Sequence, residues 1–159
     1  MTARQIADLL DTHSDALVLF ARQRCDTPED VVQEAFCKLA TQKVPPEDPV
    51  AWLFRVVRNA SLDAEKAERR RKRREAAVAT PAHWFHESPL EGLDASTAVH
   101  CLQTLPGEQR EVIILRLWSD LTLDQIAVTC GCSVSTAHRR FEAGIVALRE
   151  RLGETCPKT

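Results

Sequence analysis

Apolar residues recur at helical spacing along most of the chain. In the opening segment Ile6, Leu9, Leu10, Ala16, Leu17, Phe20 and Ala21 follow a 3.6-residue period, which predicts an amphipathic helix. A second helix is signalled by Thr27 as cap, Pro28 at the first helical position and Asp30 where a carboxylate can bond back to the cap. Val31, Val32, Ala35, Phe36 and Leu39 form its buried stripe. The adjacent prolines between Lys43 and Pro49 cannot continue that helix and predict a loop. Asp48 and Pro49 then repeat the cap-plus-proline signal, and Trp52, Leu53, Val56, Val57 and Ala60 give a third, longer helix its core-facing side.

The periodicity fades between Ala76 and about Ala95, where Pro81, Pro89 and Gly92 interrupt any helix. Three parts are expected: a domain over 1–75, a linker over 76–95 and a domain over 96–159. In the last part a short helix around Ala98 to Leu102 precedes Leu105 and Pro106, and Val112, Ile113, Leu115 and Leu117 mark another helix. Thr122 with Gln125 is a capping box for a helix containing Ile126 and Ala127. Gly131 supplies the turn that ends it, and Ser133 caps a last helix through Ala137, Phe141, Ile145, Leu148 and Leu152. No segment alternates as a half-buried strand does. The expected fold is all-α: two small helical domains joined by a flexible linker, the C-terminal one a helix-turn-helix.

At 159 residues with 44% hydrophobic and 28% charged content, the chain can bury one medium or two small cores. No apolar run is long enough for a membrane helix, and the N-terminal residues, with Arg4, Asp8 and Asp11 among them, lack the apolar block of a signal peptide; no membrane insertion and a cytoplasmic location are expected. In that reducing compartment the six cysteines, Cys25, Cys37, Cys101, Cys130, Cys132 and Cys156, read as free thiols.

The net charge of −2 speaks against nucleic acid only until its distribution is read. From Arg55 to Arg74 nine basic residues stand against Asp63, Glu65 and Glu68, a local charge of +6. A charge run alone is often a solvated helix end. Here an amphipathic helix leads into it, so Arg55, Arg58, Asn59, Lys66, Arg69 and Arg70 can lie along a nucleic acid backbone while Asn59 offers a donor and an acceptor to a base. In the helix-turn-helix, the N-terminal residues of the second helix enter the major groove. Those are Ser135, Thr136, His138 and Arg139, with Arg140 near a phosphate or a base edge.

Cys130 and Cys132 flank the turn glycine near His138, but one intervening residue and a distant Cys156 do not make a zinc ligand set, so no metal is expected. His83, Trp84, Phe85 and His86 read as a packing anchor in the linker rather than a ligand site. No activated nucleophile, carboxylate pair or glycine-rich phosphate loop stands out; neither an enzyme nor a cofactor is expected.

Three motifs in order carry a resemblance that covers nearly the whole chain. They are the run Pro28 to Phe36, the run Ala51 to Asn59 with Asp63, and Leu105, Pro106, Arg110, Val112, Leu115 and Arg116 followed by the helix-turn-helix from Leu123 to Leu148. Together they resemble sigma factors of the sigma-70 class in their compact extracytoplasmic-function group. The resemblance implies a transcription initiation factor that binds core RNA polymerase through Asp30, Gln33 and Glu34, facing a basic coiled coil of the polymerase clamp. It implies that Ala51 to Asn59 reads the −10 element of promoter DNA, that the Lys43 to Pro49 loop pockets a flipped base, and that the last domain reads the −35 element. An anti-sigma factor is a further partner that it leaves open. Trp52 sits between a melting wedge and a core residue, with its apolar neighbours favouring the core. The chain departs from the family at Glu142 and Ala143, where an aromatic or histidine and arginines are usual. Six basic residues balance six acidic ones between Leu105 and Leu152, which predicts a weak −35 grip or reliance on a protein partner. The competing readings are a helix-turn-helix regulator that acts without polymerase, and a protein-interaction or thiol-sensing module.

Overall fold

The computed structural model describes residues 1–75 and 100–155, and the chain divides into two compact units, Met1–Trp84 and Phe85–Thr159. All regular structure among the described residues is helical. The stretch 76–99, with the expected linker, the His83 to His86 cluster and the start of the short helix at Ala98, lies outside them, as does Cys156.

The first unit contains α1 (Ala3–Arg22), α2 (Pro28–Ala40) and α3 (Pro49–Glu75), each packed on the other two. Its core is built from Leu17, Phe20 and Ala21 of α1, Val31, Val32, Ala35, Phe36 and Leu39 of α2, and Ala51, Leu53, Phe54 and Val57 of α3. Phe20 and Phe54 meet edge to face with centroids 5.6 Å apart, the arrangement the ring quadrupoles favour. The first half of α1 contributes less than its periodicity predicts: Ile6 and Leu9 are half-buried and Leu10 is exposed. That half begins with a capping box not singled out from the sequence, in which the Thr2 hydroxyl accepts from the Gln5 amide and the Gln5 side chain accepts from the Thr2 amide.

Two expected caps turn out differently. Asp48 does cap α3, accepting from the Ala51 amide at 2.9 Å. Thr27 makes no side-chain cap bond, and Asp30 sends none back to it. With φ −123° and ψ 61°, Thr27 is not in the extended conformation that turns a cap oxygen onto the first amides. Proline at the first position leaves one fewer amide to satisfy, and burial of the whole apolar face holds α2 in place without that bond.

Cys25, in the segment after α1, is half-buried. Its thiol donates to the Ala21 carbonyl at 3.3 Å and lies 3.8 Å from the buried Ser61 hydroxyl, and partial burial pushes its pKa up, which disfavours the thiolate.

The described part of the second unit begins with a helical stretch at 100–103, followed by α4 (Gly107–Leu117), α5 (Leu123–Cys130) and α6 (Val134–Thr155). Val112, Ile113, Ile114 and Leu115 of α4 are buried with Leu121, Ile126, Ala127 and Ala137. Leu117, expected in that stripe, is exposed, as is Trp118 beside it, because α4 ends there and the chain turns through Asp120 in the left-handed region. The turn is closed by the Leu121 amide on the Leu115 carbonyl and by Arg116, whose guanidinium donates to the Leu121 carbonyl at 2.8 Å.

The helix-turn-helix follows its expected local chemistry. Thr122 and Gln125 form a capping box, Gly131 takes φ 65° and ψ 41°, and the Ser133 hydroxyl accepts from the Thr136 amide at 3.2 Å. Further along α6, Gly144 lets the helix approach α4 closely. A Cβ there would stand 2.6 Å from Ile113 Cδ1 and 3.3 Å from Gln109 Cβ. Gly144→Val is therefore expected to destabilise the unit by roughly 2 kcal/mol, the cost of overpacking outweighing the gain in helix propensity. Ile113→Val, which removes Cδ1, should return part of that loss. Denaturant unfolding of the two single variants and the pair measures it, and strictly additive effects would refute the contact.

Candidate nucleic-acid interface

Helix α3 separates its chemistry by face. Ala51, Leu53, Phe54, Val57 and Ser61 are buried on one side, while Arg55, Asn59, Lys66, Arg69, Arg70 and Arg73 are exposed at helical spacing on the other. Arg58 is half-buried at the edge of that surface and Trp52 is half-buried beside Leu53, so the indole is neither a free wedge nor a closed core residue.

Of the acids of α3, Glu65 and Glu68 keep to the flanks, while Asp63, with 78% of its side chain exposed, stands on the cationic face and pairs with Lys66 at 3.4 Å. Glu68 receives Arg71 and Lys72, and the Arg71 hydrogen bond with these two cations holds its carboxyl below the usual range. Glu65 is shared between Arg69 and Arg24 of the segment after α1. Arg55, Arg73 and Arg74 form no ion pair among the described residues, and Lys66, Arg69, Arg70 and Arg73 line one shallow cleft. Exposed surface ion pairs such as Lys66 with Asp63 contribute well under about 1 kcal/mol. These cations can therefore exchange their partners for phosphates at little cost. The loop before α3 is exposed from residue 41 to 45, with Val44 at 78% exposure.

On α2 the exposed face carries Asp30, Gln33 and Glu34, opposite the buried Val31, Val32, Ala35, Phe36 and Leu39. Glu34 pairs with Lys38 at 2.8 Å and Glu29 with Arg22 at 2.9 Å, so the acidic face is bordered by cations on its own unit. Cys37 is exposed on the same face.

On α6 the sequence-expected residues divide. Ser135, His138 and Arg139 are exposed along one stripe, whereas Thr136 is half-buried with its hydroxyl 2.9 Å from that of Ser133. Arg140 is turned toward the unit itself, where its guanidinium meets Glu108 at 2.6 Å with only 22% of the side chain exposed. Arg110 is likewise internal, donating to the Gln103 carbonyl at 2.7 Å. Glu142, not chosen as a site residue from the sequence, shares the exposed stripe, and its Oε2 lies 3.3 Å from His138 Nδ1. The signal for it was present: Glu142 follows His138 by four residues, one helical turn on the same face.

Among the described residues no group of three or more histidines, cysteines or carboxylates is placed to hold a metal ion, and no helix is long and apolar enough to cross a membrane. Cys130 is buried and Cys132 half-buried beside the turn.

Comparison with known proteins agrees with this geometry. Residues 9–75 match the model of sigma-70 region 2, and residues 97–148 match that of sigma-70 region 4. The chain is 26% identical over 159 residues to the RNA polymerase sigma-E factor of Streptomyces coelicolor, covering 93% of this chain and 86% of that protein. It is 30% identical over 120 residues to the ECF RNA polymerase sigma factor EcfG of Rhodopseudomonas palustris, covering 72% and 65% respectively. Among solved structures, the sigma factor RpoE in complex with the anti-sigma factor NepR from Bartonella quintana superposes with a TM-score of 0.76 at 23% identity, over 95% of this chain and 98% of that one. CnrH in complex with the cytosolic domain of CnrY gives 0.64 at 24% identity, over 98% and 92%. At such identities these two show a shared fold.

Proposed function

The chain belongs to the sigma-70 family of RNA polymerase sigma factors, in its extracytoplasmic-function group, and we propose how its own residues divide the work of transcription initiation. Residues 1–75 bind core polymerase and the −10 element, 76–95 link, and 96–159 bind the −35 element. Asp30, Gln33 and Glu34 meet a basic surface of the polymerase clamp. Arg55, Arg58, Lys66, Arg69 and Arg70 follow promoter phosphates while Asn59 reads a base, and the loop before α3 receives a base expelled from the duplex, which offsets part of the few kcal/mol that unstacking costs. Ser135, Thr136, His138 and Arg139 face the −35 major groove, with Arg140, braced by Glu108, at a flanking phosphate. In this reading catalysis stays with the polymerase, the chain is not an enzyme, and it works in the cytoplasm. An anti-sigma factor is the remaining proposed partner, because the structural relative RpoE was solved with one.

The observation that carries the reading is the cationic face of α3, set against its buried side and interrupted by Asp63, which pairs with Lys66. The test is reconstitution with core polymerase and a promoter library. Expected is a stable holoenzyme at moderate ionic strength that opens a defined subset of promoters. DNA binding that is equally strong and selective without polymerase would favour the free-standing regulator instead.

A further inference from the structure

We propose that Glu142 is a specificity residue that selects cytosine within the −35 element, accepting a hydrogen bond from the cytosine N4 amine; this rests on the −35 role proposed for α6. Glu142 sits on the same exposed stripe of α6 as Ser135, His138 and Arg139, with 65% of its side chain exposed and His138 as its neighbour at 3.3 Å. The helix beneath it is held by the close approach of Gly144 to Ile113 and Gln109, so the place of the Glu142 backbone on the stripe is set by packing.

An ionised carboxylate can only accept hydrogen bonds. Brought to DNA it meets repulsion from phosphates and loses water, so it weakens binding unless a donor awaits it. The major-groove edges decide which base can supply that donor. Guanine offers two acceptors there, and thymine an acceptor and a methyl group. Adenine places its N7 acceptor beside the N6 amine, so a carboxylate that reaches the donor also faces a lone pair. Cytosine alone presents an amine with no acceptor of its own ring beside it, so that the paired guanine's O6 flanks it on one side only, whereas adenine's amine has an acceptor on both sides. A carboxylate at this position therefore rejects three bases by repulsion and accepts one, which is discrimination without net attraction. The charge balance of the unit fits this use: Arg139 and Arg149 on the exposed surface of α6 are offset by Glu142 and Glu150, so sequence selection takes precedence over phosphate grip.

The test uses reconstituted holoenzyme on a promoter library randomised across the −35 region, with the natural chain, Glu142→Ala and Glu142→Gln. The natural chain should favour cytosine at one position by about fivefold or more. Glu142→Ala should erase that preference and leave the −10 preference intact, and Glu142→Gln should move it toward adenine, whose paired donor and acceptor match an amide. If Glu142→Ala strengthened binding to all members with an unchanged −35 preference, Glu142 would be a general electrostatic brake and the inference would fall alone. If the natural holoenzyme opened promoters but selected nothing in the −35 region, the role given to α6 would fall and take the inference with it.

Discussion

With Asp30 and Glu34 both changed to lysine, association with core RNA polymerase is expected to weaken by at least roughly 100-fold, since reversing close charges at a protein interface costs several kcal/mol. The fold should survive. Asp30 lies in the first turn of α2, so a cation there opposes the helix dipole, and a lysine in place of Glu34 would set two like charges one turn apart where Glu34 and Lys38 now pair. Together these cost about 1–2 kcal/mol. Against that stand six buried residues of the α2 face, Pro28, Val31, Val32, Ala35, Phe36 and Leu39, whose larger members each contribute about 1.5–3 kcal/mol. Circular dichroism and thermal melting establish that the variant is folded, and equilibrium binding to core polymerase over a salt series measures the loss. Asp30→Asn with Glu34→Gln, which removes the charge and keeps the shape, should fall between the variant and the natural chain. Unchanged affinity in a folded lysine variant would move the polymerase surface off α2.

Replacing Lys66, Arg69, Arg70 and Arg73 together by alanine is expected to lower promoter affinity of the holoenzyme on the order of 100-fold near 0.1 M salt. The plot of log affinity against log salt should flatten by about 3, because each cation at a phosphate releases about 0.7 to 0.9 of a counterion. The loss stays below the sum for four free cations, since Lys66 and Arg69 must first leave Asp63 and Glu65. Folding should change little: all four side chains are exposed, and Glu65 keeps Arg24 when Arg69 is gone. A measured slope equal to that of the natural chain would show that this face does not touch phosphates.

Much of the site was legible because it is local. The +6 stretch, the acidic positions of α2 and the turn around Gly131 are patterns within one or two helical turns, and periodicity assigns each residue a face. Arg140 was the instructive exception. Its place early in α6 points to DNA, and only the fold shows the partner that braces it, Glu108, 32 residues earlier at the start of α4. In the sequence Glu142 stands out only as a departure from the family; the exposed stripe of α6 gives it its place beside His138 and Arg139.

The residue pattern determined the helices, the long amphipathic α3 with opposed apolar and cationic sides, the left-handed turn at Gly131 and the caps at Asp48, Thr122 and Ser133. These depend on interactions over three or four residues, which order along the chain already specifies. Tertiary packing decided that Thr27 needs no cap bond, that Leu10 and Leu117 stay exposed, that Arg110, Arg116 and Arg140 brace the second unit, and that a side chain at Gly144 would crowd Ile113. Those outcomes turn on which distant helix arrives beside a residue. Spacing along one helix carries no record of that, because a guanidinium binds a carboxylate, a carbonyl or a phosphate with the same donors.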